Sequence, residues 1–186
     1  METFRICGEF FERAIVDPTD FEARERMLWA STIVGTAMGN CGVAIPHGLS
    51  YPVCGHVKHY TPASGYPKDH PLIPHGMGVG ICAPAAIRKT GPGCPERHLK
   101  AAQLLQAHHA GEALLNESGE VLAQEVVRLL QIAGFPKGIY SLGFNSKDLP
   151  SLASACFQQK RVINNSPVAL TEEDILDLYH HCGENW

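Results

Sequence analysis

Apolar residues return every third or fourth position along much of this chain, and the runs end in glycine- or proline-containing breaks. That period suits amphipathic helices, and a chain so punctuated is a poor match for a sheet. Phe4, Cys7, Phe10, Phe11, Ala14 and Ile15 form the first stripe; Asp17-Pro18-Thr19-Asp20 ends it and caps the next helix, Phe21 to Met38. Met27, Ala30, Ser31, Val34, Gly35 and Met38 share one side of that second helix, where small residues invite close contact. Gly39-Asn40-Cys41-Gly42 breaks it, and a short helical segment follows from Pro46 to Cys54. The polar stretch 55–73 reads as a long surface excursion, after which Pro74 starts a helix from His75 to Lys89.

Gly91-Pro92-Gly93-Cys94-Pro95 is a turn before a helix from Glu96 to Ala107, and Ser118 to Ile132 is amphipathic until Gly134 and Pro136 stop it. Phe135 to Phe144 is expected to be extended, although no strand partner is evident. Ser146 is expected to cap a short helix reaching Gln159, and Thr171 with Asp174 forms a capping box for Glu172 to His181. The expected fold is an all-α array of about seven or eight helices in one domain, 1–186, without internal repeats.

A chain of 186 residues, 45% of them hydrophobic, can bury one core of ordinary size. Its net charge of -4, with 18% charged residues, gives no basic footprint for nucleic acid and no polybasic membrane anchor. No transmembrane span is expected, so small molecules or protein are the expected partners. The 7 cysteines lack a C-x-x-C pair and read as reduced thiols in an intracellular protein. Met1-Glu2-Thr3-Phe4-Arg5 looks like neither a secretory signal nor a transit peptide, so any organelle address is expected to lie outside this chain.

Two histidines share one local frame, Ile45-Pro46-His47-Gly48 and Ile73-Pro74-His75-Gly76. Proline suits a first helical turn and glycine admits close backbone, so each imidazole is expected at a helix mouth, where the pair could hold one divalent metal. Two ligands do not complete a coordination sphere. The other histidines have plainer readings: His98 and the pair His108-His109 suit helix ends and solvent, and His56 and His59 lie in the polar excursion. Asp177-x-x-x-His181 has metal-ligand spacing but sits on the terminal helix, where solvation is the expectation. Gly76-x-Gly78-x-Gly80 lacks a preceding strand and is expected to serve helix packing rather than phosphate binding.

The run from Ala30-Ser31 through Gly39-Asn40-Cys41-Gly42-Val43-Ala44-Ile45-Pro46-His47-Gly48-Leu49-Ser50-Tyr51-Pro52-Val53-Cys54-Gly55 resembles the metal-site region of the iron-containing alcohol dehydrogenase family. His70-Pro71-Leu72-Ile73-Pro74-His75-Gly76 resembles the second half of that signature. Tyr51-Pro52, together with the tail Asn164-Asn165-Ser166-Pro167 and Leu170-Thr171-Glu172-Glu173-Asp174, is most similar to the hydroxyacid-oxoacid transhydrogenase branch.

The resemblance implies the helical C-terminal domain of a two-domain oxidoreductase whose N-terminal α/β domain binds NAD(P). It implies a divalent metal, Fe2+ or Zn2+, held by one aspartate and three histidines, with His47 and His75 as the last two ligands. An Asp-x-x-x-His helix supplying the first two is expected before residue 1, which makes the chain a truncated one that does not turn over alone. Tyr51, four residues after His47, stands where much of the family has a histidine; a phenol there could donate to a substrate oxygen, and a packing role is the alternative. The resemblance further implies an alcohol or hydroxy acid such as 4-hydroxybutyrate as hydride donor, an oxo acid such as 2-oxoglutarate as acceptor, a possible homo-oligomer, and a mitochondrial or cytoplasmic location. The alternative is a non-catalytic helical binding or oligomerisation module left from such an enzyme.

Overall fold

In the computed structural model, which describes residues 1–62 and 65–186, the described residues form helices and turns with no strand. Positions 63 and 64 of the expected excursion lie outside the described residues. The helices are α1 (Glu2–Val16), α2 (Phe21–Cys41), α3 (Ile45–Gly55), α4 (His75–Thr90), α5 (Pro95–Leu104), α6 (Ser118–Ile132), α7 (Leu149–Phe157), α8 (Lys160–Ile163) and α9 (Glu172–Cys182), with short 3-10 turns at Gly91–Gly93, Leu115–Glu117 and Ile139–Leu142. They fall into two compact units, Met1–Val43 with Ile87–Gly134, and Ala44–Ala86 with Phe135–Trp186.

In the first unit α1 lies between α2 and α5. Ile6 and Phe10 cluster with Ala23 and Ala30 of α2, while Cys7 packs on Ala101, Ala102, Leu105 and Leu122. Contact on two sides explains why Ile6, absent from the expected stripe, is 1% exposed whereas Phe4 is 39% exposed. Asp20 accepts a hydrogen bond from the Ala23 amide and caps α2, as its position after Pro18 leads one to expect. Along α2, Leu28 and Trp29 project outward at 71% and 55% exposure. Arg128 holds α6 to α1, bonding buried Glu125 at 2.8 Å and Glu12 at 2.9 Å.

Helix α5 stops at Leu104, three residues short of Ala107. Gln106 takes a left-handed conformation (φ 60°), and the Ala107 and Gln106 amides return to the carbonyls of Ala102 and Gln103, a Schellman closure without glycine.

The second unit has the larger core. Ile45, Leu49 and Val53 of α3, Ile81 of α4, Leu149 and Leu152 of α7, and Ile175 and Leu178 of α9 are all buried in one cluster. The Tyr179 hydroxyl donates to the Leu49 carbonyl at 2.8 Å, tying α9 to α3. Burial pushes that phenol far up, so it remains a donor, and it pushes the neighbouring Cys156 thiol up to about 12. Excursion 55–73 returns to this core through half-buried Val57 and Tyr60 and buried Ile73; Leu72 donates to Tyr60 at 2.8 Å, and Lys58 pairs with Asp148 at 2.6 Å.

Two expectations are corrected here. Residues 135–144 form no strand: Ile139–Leu142 is a 3-10 turn, and backbone before and within it pairs with the C-terminal tail, Asn185 N to Lys137 O at 2.9 Å and Tyr140 N to Gly183 O at 3.3 Å. Ser146 does not cap α7; Asp148 occupies that position and turns its carboxylate back to the Asn145 amide at 2.9 Å and to Lys58. The capping box of Thr171 and Asp174 is present at the start of α9.

Gly138 faces the tail so closely that an added methyl group would collide with the Gly183 carbonyl, and backbone cannot yield as a side chain can. Gly138→Ala is therefore expected to lower stability by about 1–3 kcal/mol. A urea midpoint unchanged from the parent chain would refute this.

Candidate metal centre

Pro46 lies in the first turn of α3, where its missing N–H is no loss, and Ala44 accepts from the His47 amide at 3.0 Å. His75 is the first residue of α4, and Pro74 just before it accepts from the Gly78 amide at 3.0 Å. Both histidines thus stand at helix mouths. Their glycines differ: Gly48 is buried, with Ile163, Val162 and Cys156 where a side chain would go, while Gly76 faces open space.

The two imidazole centroids are 5.3 Å apart with planes tilted by 53°. Tyr51 completes a triangle. Its ring stacks on His75 at 5.8 Å and 12° and meets His47 edge-on at 6.5 Å and 65°. The i,i+4 spacing placed Tyr51 beside His47; the contact with His75, from another helix, has no local sequence signal. His47 and Tyr51 are half-buried and His75 is exposed. Burial first, and the neighbouring His75 second, hold the His47 imidazole below the usual histidine range, so it favours the neutral form with a free lone pair.

What this arrangement can do is offer two imidazole nitrogens to one cation from a half-buried shelf. Among the described residues no group of three or more His, Cys, Asp or Glu side chains is arranged to hold a metal, so the pair remains a pair. The donor chemistry suits iron or zinc, since imidazole binds both and the pair adds no competing charge. Remaining ligands and negative charge have to come from elsewhere.

The other motifs settle differently. Asp177 and His181 lie exposed on α9, 3.6 Å apart, with the His181 ring bonded to the Asp177 carbonyl at 2.9 Å. His56 bonds the Pro52 carbonyl at 2.9 Å, and exposed His70 bonds Asp69 at 2.8 Å. Gly76, Gly78 and Gly80 all lie within α4, where Gly78 lets α4 approach Ser50 and Cys54 of α3. Among the described residues no single helix is long and apolar enough to cross a membrane.

Comparison with known proteins bears on the family and the fold. The family described as "Fe-containing alcohol dehydrogenase family, C-terminal" matches residues 1–183. A mitochondrial hydroxyacid-oxoacid transhydrogenase of Xenopus laevis is 41% identical over 175 residues, covering 94% of this chain and 37% of that protein. The chain thus spans little more than a third of the curated relatives it matches. A 1,3-propanediol oxidoreductase structure superposes with a TM-score of 0.83 at 19% identity, covering 97% of this chain and 43% of the other. Sulfoacetaldehyde reductase from Bifidobacterium kashiwanohense, solved in complex with NAD+, gives a TM-score of 0.74 at 20% identity over 96% of this chain and 41% of that one. With the match extending over nearly its whole length, the chain belongs to the iron-containing alcohol dehydrogenase family, as its helical C-terminal region.

Proposed function

We propose that this chain supplies half of the metal centre of an oxidoreductase acting on the CH–OH group of an alcohol or hydroxy acid, with NAD as the hydride carrier. The observation that carries the reading is the convergence of His47 and His75, from the mouths of two helices, with Tyr51 of the first. His47 and His75 hold a divalent ion, iron or zinc, through one nitrogen each. Bound there, the ion supplies Lewis acidity at the substrate oxygen. An aspartate and a further histidine from outside this chain complete the set. Tyr51, stacked on His75, directs its phenol as a donor toward the same substrate oxygen and helps fix the ring of its neighbour.

The substrate class follows the relatives: similarity to a hydroxyacid-oxoacid transhydrogenase favours a hydroxy acid as hydride donor and an oxo acid as acceptor. The NAD+ in the sulfoacetaldehyde reductase structure supports the choice of cofactor. The relative's name also supports a mitochondrial location.

Zinc binding to the purified chain, followed by calorimetry, tests the pair. His47→Ala and His75→Ala are each expected to weaken binding at least about tenfold, since loss of even an outer-sphere partner costs that much. Tyr51→Phe is expected to leave affinity unchanged. Parent chain binding zinc no better than His47→Ala would remove the proposal.

The pH dependence has a definite sign. Because folding lowers the affinity of His47 for a proton, the unfolded chain takes one up first as pH falls, and stability due to this residue is present above about pH 6.5 and lost below it. Histidine NMR titration of the metal-free chain is expected to place His47 below about 6.5 and His75→Ala to move it upward. An unshifted His47 in that variant would show that the two rings do not interact.

A further inference from the structure

A second cluster of reactive side chains lies in the other compact unit, where α4 turns into α5. Thr90, Cys94 and His98 follow at four-residue steps around the Gly91–Gly93 turn. His98 Nε2 is 3.1 Å from Thr90 Oγ1; His98 Nδ1 is 3.3 Å from Cys94 Sγ and 3.0 Å from the Cys94 carbonyl oxygen. The Thr90 hydroxyl in turn reaches the Ile87 carbonyl at 3.3 Å.

Two neutral tautomers satisfy these contacts: with Nδ1–H the ring donates to the Cys94 carbonyl, and with Nε2–H it donates to Thr90 Oγ1 and turns the Nδ1 lone pair toward the thiol, which otherwise points to the Thr90 carbonyl at 3.9 Å. The second is the reactive form. Proton transfer from Cys94 to Nδ1 then creates a second ring N–H, and the Cys94 carbonyl is already placed to accept it. The sulfur also belongs to the N-cap residue of α5, a helix of 10 residues, whose positive end favours developing negative charge. Nucleophile, base and a third group orienting the base are therefore all present. Both Cys94 and His98 are half-buried, beside exposed Pro92, Gly93, Glu96 and Arg97.

We propose that Cys94, His98 and Thr90 form a nucleophilic thiol centre for small hydroperoxides, independent of the His47–His75 pair. Cys94 sulfur attacks the distal peroxide oxygen, forming an S–O bond as the O–O bond breaks. The thiol proton passes to His98 Nδ1 and from there to the departing alkoxide. The products are a sulfenic acid at Cys94 and one alcohol; sulfur loses the two electrons that the peroxide gains.

Site-resolved mass spectrometry of the full chain tests this against Cys41, an exposed thiol bonded to the Ala37 carbonyl. Accessibility alone favours Cys41. Assisted by its base, Cys94 is expected to react with iodoacetamide at pH 7 at least about tenfold faster. His98→Gln is expected to bring Cys94 down to the rate of Cys41; should that variant not fold, the ratio in the parent chain decides. One equivalent of tert-butyl hydroperoxide followed by dimedone is expected to label Cys94. Equal alkylation of the two thiols, an undiminished rate in folded His98→Gln, or no dimedone adduct at Cys94 would each overturn the proposal.

Discussion

Three fully buried aliphatic side chains, Ile45, Leu49 and Val53, leave α3 no freedom to turn about its axis. Each contributes about 1.5–3 kcal/mol by burial, so a rotation exposing them is far more costly than any gain at the surface. Gly48 lets the same helix settle onto Ile163, Val162 and Cys156, and Tyr179 fastens the Leu49 carbonyl. With three sides fixed in this way, His47 and Tyr51 have a single direction left. The start of α4 reaches that side because Leu72 bonds Tyr60 and buried Ile73 seats the chain just before His75. The ring triangle is thus a product of core packing, not of attraction among the rings themselves.

Local rules recover the features that depend on neighbours in sequence. The Asp20 cap, the capping box of Thr171 and Asp174, the bounds of α6 and the placement of both histidines at helix mouths were all legible from the chain. What escapes is whatever a distant segment decides. Phe4 belongs to the α1 stripe by spacing, yet Ile6 is buried because α1 has helices on two sides. Residues 135–144 have the composition of an extended segment, and their backbone does find partners, but these lie in the tail at Gly183 to Asn185 and make only isolated bonds. The end of α5 escapes for another reason: a glutamine in the left-handed region carries no signal comparable to glycine.

At the candidate centre, legibility divides the same way. Matched Pro-His-Gly frames single out two imidazoles, and the i,i+4 step adds Tyr51 to the first. The frames do not show that one glycine is an essential contact and the other open, nor that Tyr51 stacks on the second imidazole rather than the first. The asymmetry has a chemical meaning: His47 is shielded and biased toward its neutral form, while His75 meets solvent. One donor is half-buried beside the core and the other is exposed.

Each compact unit carries one of the two tryptophans, Trp29 on the exposed side of α2 and half-buried Trp186 at the end of the tail that pairs with residues 137–140. Emission from the two indoles therefore reports two different events: loss of α2 for one, detachment of the tail for the other. Replacing either tryptophan by phenylalanine leaves a chain with a single reporter, and coincidence or separation of the two unfolding curves reveals whether the units melt together. The division of the chain into two packed bodies thus becomes a question of cooperativity that fluorescence alone can answer.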